Sequence, residues 1–461
     1  MEQIIFHIDV NSAYLSWTAV EQLKNGAEVD LRKIPAIIGG NQESRHGVVL
    51  AKSPLAKKYG IRTGEPVAQA FRKCPDLVMA PPNHKMYQEY SRRLMEFLQT
   101  YTPDIEQVSV DECFMDFTGI SYLYLSPVEA AFEIKDAVYE KFGFTVNIGI
   151  SVNHLLAKMA SDFEKPNKVH TLFPKEIPVK MWPLPISELY MAGRSSVEVL
   201  NKLEIRTIGE LAKADPNLLE LHLKSHGRTL WEFANGIDHE KVRRGHVENK
   251  GIGNSTTLAK DAVTEEEAKK VLLWLAESVG GRLRKEKQRA GMVSVEIKYH
   301  TFQTVSHQKQ LETASNADQV IYKAACELFR ELWNQEPIRL LGIRTSKLQD
   351  ESAPVQMSIF DFQTKQEEQS VKNKKHQKLD KALDVIRKKY GEDAVKKRGL
   401  YSSRRRVPSC FTIHFFDCDN KEATKKHRKS YDDNDNGRIC IHHFQKFFPR
   451  RLRQQRRLRR E

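Results

Sequence analysis

Residues 105–117, IEQVSVDECFMDF, place two adjacent acids, Asp111 and Glu112, inside an alternation of apolar residues. Alternation with a period of two is a strand signal. A carboxylate in an apolar strand is costly unless it is paired or bound to a metal. Neighbouring side chains on a strand point to opposite faces, so the backbone must turn or bulge here if both acids serve one site. The segment IIFHIDVN reads as a second buried strand and carries Asp9. Between the two lies HKMYQEYSRRLMEFLQTY, with Met86, Tyr90, Leu94, Phe97 and Leu98 at helical spacing. PVEAAFEIKDAVYEKFG follows as an amphipathic helix, then VNIGISV as a strand. Strand, helix, hairpin, helix, strand is the order of a mixed α/β layer. Carboxylates converging from separate strand ends suit hard Mg²⁺, which binds through a few carboxylates plus substrate phosphates. Two such ions would activate a 3′-hydroxyl and stabilise a leaving pyrophosphate. Taken alone, an Asp-Glu pair is more readily a pair of ordinary strand-end acids or half of a salt bridge.

The rest of the chain divides by pattern. Residues 11–74 mix short helical stretches with the turn-rich GGNQESRHG, and 166–240 read as short helices joined by Gly and Pro turns. From about 245 the order becomes helix (TEEEAKKVLLWLAESVGGRLRKEK), strand (MVSVEIKYH), helix (ADQVIYKAACELFRELW) and strand (RLLGIRTSKL), a compact α+β domain. Residues 349–381 are polar and rich in Lys and Gln, which predicts a linker. A further helix is expected about 382–401, read from the run LDKALDVIRKKYG that starts at Leu379. With 461 residues and 40% hydrophobic content, the chain has material for two to four domains. No apolar run approaches the roughly 20 residues of a membrane span. The start, MEQIIFHIDVNSAYLSW, lacks the features of a signal peptide. Six irregularly spaced cysteines argue for a reducing, cytoplasmic setting rather than a disulfide scaffold.

The segments FHIDVNSAYLSWTAVE, SVDECFMDFTG, GISVNHLLAKMASDFEKPN and KKYGIRTGEP occur together in this chain. As a set they resemble the Y-family translesion DNA polymerases of the bacterial DNA polymerase IV type, over roughly residues 3 to 348. The resemblance implies an α/β multidomain right-hand polymerase with palm, fingers, helical thumb and an α+β little-finger domain. The palm would be 1–10 and 75–165, the fingers 11–74, the thumb 166–240 and the little finger 245–348. It implies two Mg²⁺ ions per active site: Asp9 and Asp111 bridge both, Glu112 holds the catalytic-site ion, and the Val10 carbonyl helps bind the nucleotide-side ion. Tyr14, five residues after Asp9, falls where the family carries a steric gate against the ribose 2′-hydroxyl. Lys165 matches a lysine that reaches the incoming triphosphate.

The fingers depart from the family pattern. Thr, Tyr and Arg commonly contact the phosphates there; this chain has Ala51, Pro54 and Lys57. Two donors are missing and a bidentate Arg has become the point charge of Lys57. Lys52 and Ser53 are the neighbouring candidates to substitute. ISELYMAGRSSVEVLNKLEIRTIGELA resembles the family's helix–hairpin–helix, whose backbone N–H groups and helix N-terminus would hold DNA phosphates at Gly193 and Arg194. Its usual Gly-x-Gly reads Met191-Ala192-Gly193. Gln356-Met357-Ser358-Ile359-Phe360 is an apolar island in a polar linker and resembles the bacterial sliding-clamp binding motif, with Gln356, Ile359 and Phe360 as its anchors.

The net charge is +14, but Ser402–Glu461 holds 17 basic and seven acidic residues, so most of the excess is in that tail. The charge is therefore weak evidence that the body of the chain binds nucleic acid. DDNDNG begins like a calcium loop, yet His443 stands where a bidentate Glu is required. The tail is assigned no function. The expectation is low-fidelity, template-directed DNA synthesis across damaged bases, without proofreading, by a cytoplasmic, nucleoid-associated monomer. Its partners would be primer-template DNA, deoxynucleoside triphosphates and the sliding clamp, with no membrane. The alternatives are a catalytically weak DNA- and clamp-binding accessory factor, or another two-metal enzyme such as a nuclease.

Overall fold

Buried apolar runs separated by turns decide the first layer. The computed structural model of the chain describes residues 3–40, 47–243, 249–353, 379–391 and 394. The chain runs β1 (Ile5–Val10), α1 (Ala13–Lys24), β2 (Ala36–Gly39), β3 (Val49–Lys52), α2 (Pro54–Lys58), α3 (Val67–Lys73) and β4 (Val78–Ala80). It continues with α4 (His84–Leu98), β5 (Ile105–Gln107), β6 (Glu112–Asp116), α5 (Pro127–Phe142), β7 (Val146–Ser151), α6 (His154–Asp162) and β8 (Val169–Thr171). Five helices follow: α7 (Ile177–Lys180), α8 (Arg194–Lys202), α9 (Ile208–Lys213), α10 (Pro216–Leu223) and α11 (Ser225–Ala234). The last group is β9 (Gly251–Ala262), α12 (Glu265–Lys285), β10 (Gln288–Tyr299), β11 (Thr304–Ser315), α13 (Asp318–Leu332) and β12 (Ile338–Asp350). A final helix, α14, spans 379–390.

The first layer is a five-stranded sheet in the order β5-β6-β1-β7-β8. Strands β1 and β7 are buried along their length, as their unbroken apolar runs predict. One core joins this sheet to α1, α4 and α5 through Trp17, Tyr87, Tyr90, Leu94, Ile134 and Val138. Helix α6 lies directly on β7. A Cβ added at Gly149 would stand 2.0 Å from the Ala157 carbonyl oxygen, so glycine is what lets helix and strand meet. A three-stranded sheet, β3-β2-β4, carries α2 and α3 on its own small core.

The helices from α7 to α11 share a core with Leu155, Leu156 and Met159 of α6. The first helix of the expected helix–hairpin–helix is a single 3-10 turn, Ile186–Glu188, and the second is α8. Met191 takes a left-handed φ of 69° where the family pattern has glycine. The hairpin thus keeps its bend at a cost of about 1–2 kcal/mol.

The four-stranded sheet, in the order β11-β10-β12-β9, packs α12 and α13 on one face. Two of its strands, β9 and β11, lie outside the helix–strand–helix–strand pattern read from the sequence. Both are polar, and β11 is exposed along most of its length.

One expectation about the C-terminal region needs correction: strand β12 continues to Asp350, inside the expected linker. Helix α14, 379–390, covers the run LDKALDVIRKKY. Helix α14 is docked. Arg284 on α12, almost fully buried, makes a two-pronged pair with Asp384 at 2.6 and 3.0 Å and a 2.7 Å bond to Asp318. The Asp318 N–H donates to Asp380 at 3.0 Å, Arg387 pairs with Glu277 at 2.8 Å, and Leu383 is 2% exposed. Lys381 reaches Glu351 at 2.7 Å. Bidentate arginine–carboxylate pairs fix orientation as well as charge. The sequence could not show this, because the aspartates of α14 find their partner about 100 residues upstream.

Cys74, Cys113 and Cys326 are buried free thiols. No helix among the described residues is long and apolar enough to cross a membrane. The segment Gln356–Phe360 and the tail from 402 lie outside the described residues.

Candidate active site

Strand pairing brings the acids together. Antiparallel register sets Asp9 of β1 opposite Glu112 of β6 on one side and Asn147 of β7 on the other. The turn required by the adjacency of Asp111 and Glu112 is present. The N–H groups of Val108 and Ser109 both donate to the Glu112 carbonyl, at 3.1 and 3.3 Å, and Asp111 stands just before β6. The Asp111 carbonyl accepts from the Val10 N–H at 3.0 Å, and its carboxylate accepts from Ser109 Oγ at 2.5 Å.

The charges around these acids are unequal. Glu112 sits between His7, at 3.3 Å, and Lys158, at 2.7 Å. The close His7 ring, with the Lys158 ammonium, holds its pKa down at about 2 against the effect of burial. Burial pushes the His7 pKa down, which keeps the ring neutral. Burial also pushes the Asp111 pKa up, and the negative charges of Asp9 and Glu112 push it further. Asp9 pairs with Lys165, which also holds Asp162 at 2.7 Å. Burial opposes the Lys165 charge, but Asp9 and Asp162 outweigh it and raise the pKa.

As they stand, no three His, Cys, Asp or Glu side chains among the described residues form a metal-ligand set. Ammonium groups occupy that role for Asp9 and Glu112. The donor set nonetheless fits a hard divalent cation: three carboxylates and a strand-end carbonyl, with Asp111 pushed up first by burial and then by the charges of Asp9 and Glu112.

A buried amide network fixes the turn that carries Lys165. Asn147 is wholly buried, and its side chain donates to the carbonyls of Ser161 (3.0 Å) and Glu164 (2.6 Å). It accepts from Asn11 Nδ2 (3.0 Å) and from the Lys168 N–H (3.2 Å). Asn11 in turn accepts from the Asn167 N–H at 2.8 Å. All four bonding positions of the Asn147 amide are used, so the 163–168 turn is tied to the ends of β1 and β7.

Asp9, Asp111, Tyr14 and Lys165 line one cleft of about 530 Å³, closed on the far side by Lys52, Lys57 and Thr63. That volume suits a small-molecule substrate. Tyr14 is the second residue of α1, which starts just after Ser12 turns the chain with a left-handed φ of 48°. Its ring stacks on Tyr87 with centroids 4.3 Å apart and planes 7° apart, and meets the edge of His84 at 6.0 Å. The ring is therefore held as a rigid wall of the cleft.

Ser53, a candidate substitute donor, is already used. Its hydroxyl is buried, caps α2 by accepting from the Ala56 N–H at 3.0 Å, accepts from the Ala36 N–H at 3.1 Å and donates to the Ile34 carbonyl at 2.7 Å. Lys52 and Thr63 do face the cleft. Lys158, Asn147 and Thr63 were missed in the sequence. The i, i+4 pair Lys158–Asp162 was a usable signal for the first. Gly193 and Arg194 are not in the cleft lining: Gly193 caps α8 with open space where a Cβ would be, and Arg194, 94% exposed, pairs with Glu198 at 3.0 Å.

Comparison with known proteins adds to this geometry. The impB/mucB/samB family pattern matches residues 8–162, and that family's C-terminal domain matches 249–359. The chain is 49% identical over 395 residues to DNA polymerase IV of Clostridium acetobutylicum, covering 86% of this chain and 97% of that protein. It is 37% identical over 397 residues to DNA polymerase IV 1 of Bacillus subtilis, covering 86% and 92%. A solved Y-family DNA polymerase chimera matches with a TM-score of 0.66 at 23% identity, over 75% of this chain and 99% of the other. That last likeness bears on the fold, a right-hand polymerase architecture of mixed α/β domains.

Proposed function

Because the chain belongs to the impB/mucB/samB family of Y-family DNA polymerases, we propose that it copies damaged templates by two-metal nucleotidyl transfer without proofreading. It is a DNA-directed DNA polymerase of the DNA polymerase IV kind. The observation that carries the mechanistic reading is one cleft that joins Asp9, Asp111, Tyr14 and Lys165. In this reading the five-stranded layer is the palm and the β3-β2-β4 unit the fingers. The helices from α7 to α11 are the thumb, and the four-stranded unit is the little finger.

Asp9, Asp111, Glu112 and the Val10 carbonyl would hold two Mg²⁺ ions. Bound there, the ions supply Lewis-acid activation of the primer 3′-hydroxyl and neutralise charge on the leaving pyrophosphate. The chain's own groups do the rest. Tyr14 lies beneath the sugar and excludes a 2′-hydroxyl. Lys165 and Lys57 meet the triphosphate as point charges. Lys165 leaves Asp9 for the phosphates as substrate enters, which frees a carboxylate oxygen for metal. Gly193 and Arg194 hold DNA phosphates through backbone N–H groups and charge, which makes binding independent of sequence and sensitive to salt.

Extension of a primer on a template, with deoxynucleotides and Mg²⁺, tests the reading. Templated extension is the expected result. DNA binding without extension favours the accessory-factor alternative, for which the absent donors at Ala51 and Pro54 speak. Primer degradation favours a nuclease.

The protein would work as a cytoplasmic, nucleoid-associated monomer and dock on the sliding clamp through Gln356, Ile359 and Phe360. Replacing Gln356 and Phe360 together with Ala removes clamp-stimulated synthesis and spares clamp-free synthesis. An equal loss of both would make the segment structural.

A further inference from the structure

The fingers wall of the cleft carries positive charge with no ion pair to Lys52 or Lys57 among the described residues. Along strand β3, Val49 and Ala51 are buried and Leu50 and Lys52 half-buried, and Leu50, Ala51 and Lys52 line the cleft. Helix α2 starts at Pro54 and sets Lys57 on the same wall one turn later. The loop after α2 brings Thr63 alongside, and Lys52 Nζ donates to Thr63 Oγ1 at 3.2 Å. The nearby acid, Glu65, is engaged by Lys73 at 2.5 Å. Burial and the charge of Lys57 both push the Lys52 pKa down, against a smaller opposing effect of Glu65. Across the cleft the arrangement is different: Lys165 is paired with Asp9 and Asp162, and Lys158 with Glu112. Two ammonium groups repelling each other, beside a hydroxyl that accepts from one of them and has its own hydrogen to donate, suit an anion.

We propose that Lys52 and Thr63 form the triphosphate grip of this enzyme with Lys57, in place of the hydroxyl donors missing at Ala51 and Pro54. The assignment rests on the polymerase reading above and deepens it. Lys52 supplies a charged donor from the strand, and Thr63 supplies the neutral hydroxyl that a Thr or Tyr would have given. A bound polyphosphate removes the repulsion between Lys52 and Lys57, so the empty site is poised for it. Ser53 is excluded from the role by its three buried hydrogen bonds.

Steady-state primer extension at varied deoxynucleotide concentration tests the assignment. Lys52→Ala raises the nucleotide KM roughly 10-fold with kcat and DNA affinity unchanged, the loss expected for one charge-assisted hydrogen bond. Adding Thr63→Val raises KM further, to roughly 30-fold, since a neutral bond contributes less. Lys52→Arg recovers most of the affinity. An unchanged KM in Lys52→Ala beside a raised KM in Lys57→Ala overturns the assignment. If the wild type fails to extend primers, the polymerase reading fails, and the grip is then read separately. Equilibrium binding of a non-hydrolysable deoxynucleotide to the protein–DNA complex in Ca²⁺ does this. Weaker binding by Lys52→Ala sustains the grip, and equal binding overturns it.

Discussion

Asp111→Ala lowers the rate of primer extension by at least about 1,000-fold, because a metal-binding carboxylate contributes several kcal/mol to the transition state. The check is single-turnover extension at saturating nucleotide, with DNA affinity measured alongside. Affinity for primer-template stays at the wild-type level, since the expected DNA contacts at Gly193 and Arg194 lie on a separate core. Stability supplies a second readout. Asp111 is half-buried and crowded by the charges of Asp9 and Glu112, which together push its pKa up. Removing it relieves repulsion, so the variant melts at or above the wild-type temperature. That combination marks a functional residue kept at the expense of stability. Normal extension by Asp111→Ala would refute the metal site. A large fall in melting temperature would instead make Asp111 a structural acid.

Tyr14→Ala admits ribonucleotides on the order of 100-fold more readily relative to deoxynucleotides, as expected when a close-fitting wall against one group is removed. The ring can act as a wall because it cannot move aside: it is stacked on Tyr87 at 4.3 Å and edged by His84. Tyr14→Phe keeps the ring and keeps the discrimination, which separates a steric role from one of the hydroxyl. Competitive insertion of ribo- against deoxynucleotides measures the ratio directly. An unchanged ratio in Tyr14→Ala would return Tyr14 to the status of a partly buried core aromatic.

Much of the site was legible because it violates the rules of ordinary strands. Asp9 and Asp111-Glu112 stand out as acids in apolar alternation, and the turn at 108–111 follows from their adjacency alone. Side-chain direction was less legible. Lys52 and Ser53 are neighbours of equal promise in the sequence, but the Ser53 hydroxyl is consumed as the cap of α2 and by two further bonds, while Lys52 meets only Thr63 among the described residues. Asn147 looks like any strand polar residue until its pairing with Asp9 is known. The strands β9 and β11 escaped because they lie at the two sheet edges and are polar, so hydrophobic periodicity had little to register. Helix α14 was recognisable as a helix from its pattern. Its docking was not, since that depends on a guanidinium supplied by α12.

The docking of α14 has a mechanical consequence. The chain leaves the four-stranded unit after Glu351 and is fastened again at Lys381, and those two side chains touch. Helix α14 therefore returns the chain to the place where β12 releases it. A single peptide-bond cut between Glu351 and Lys381 would leave α14 held to α12 through Asp384 on Arg284 and Arg387 on Glu277.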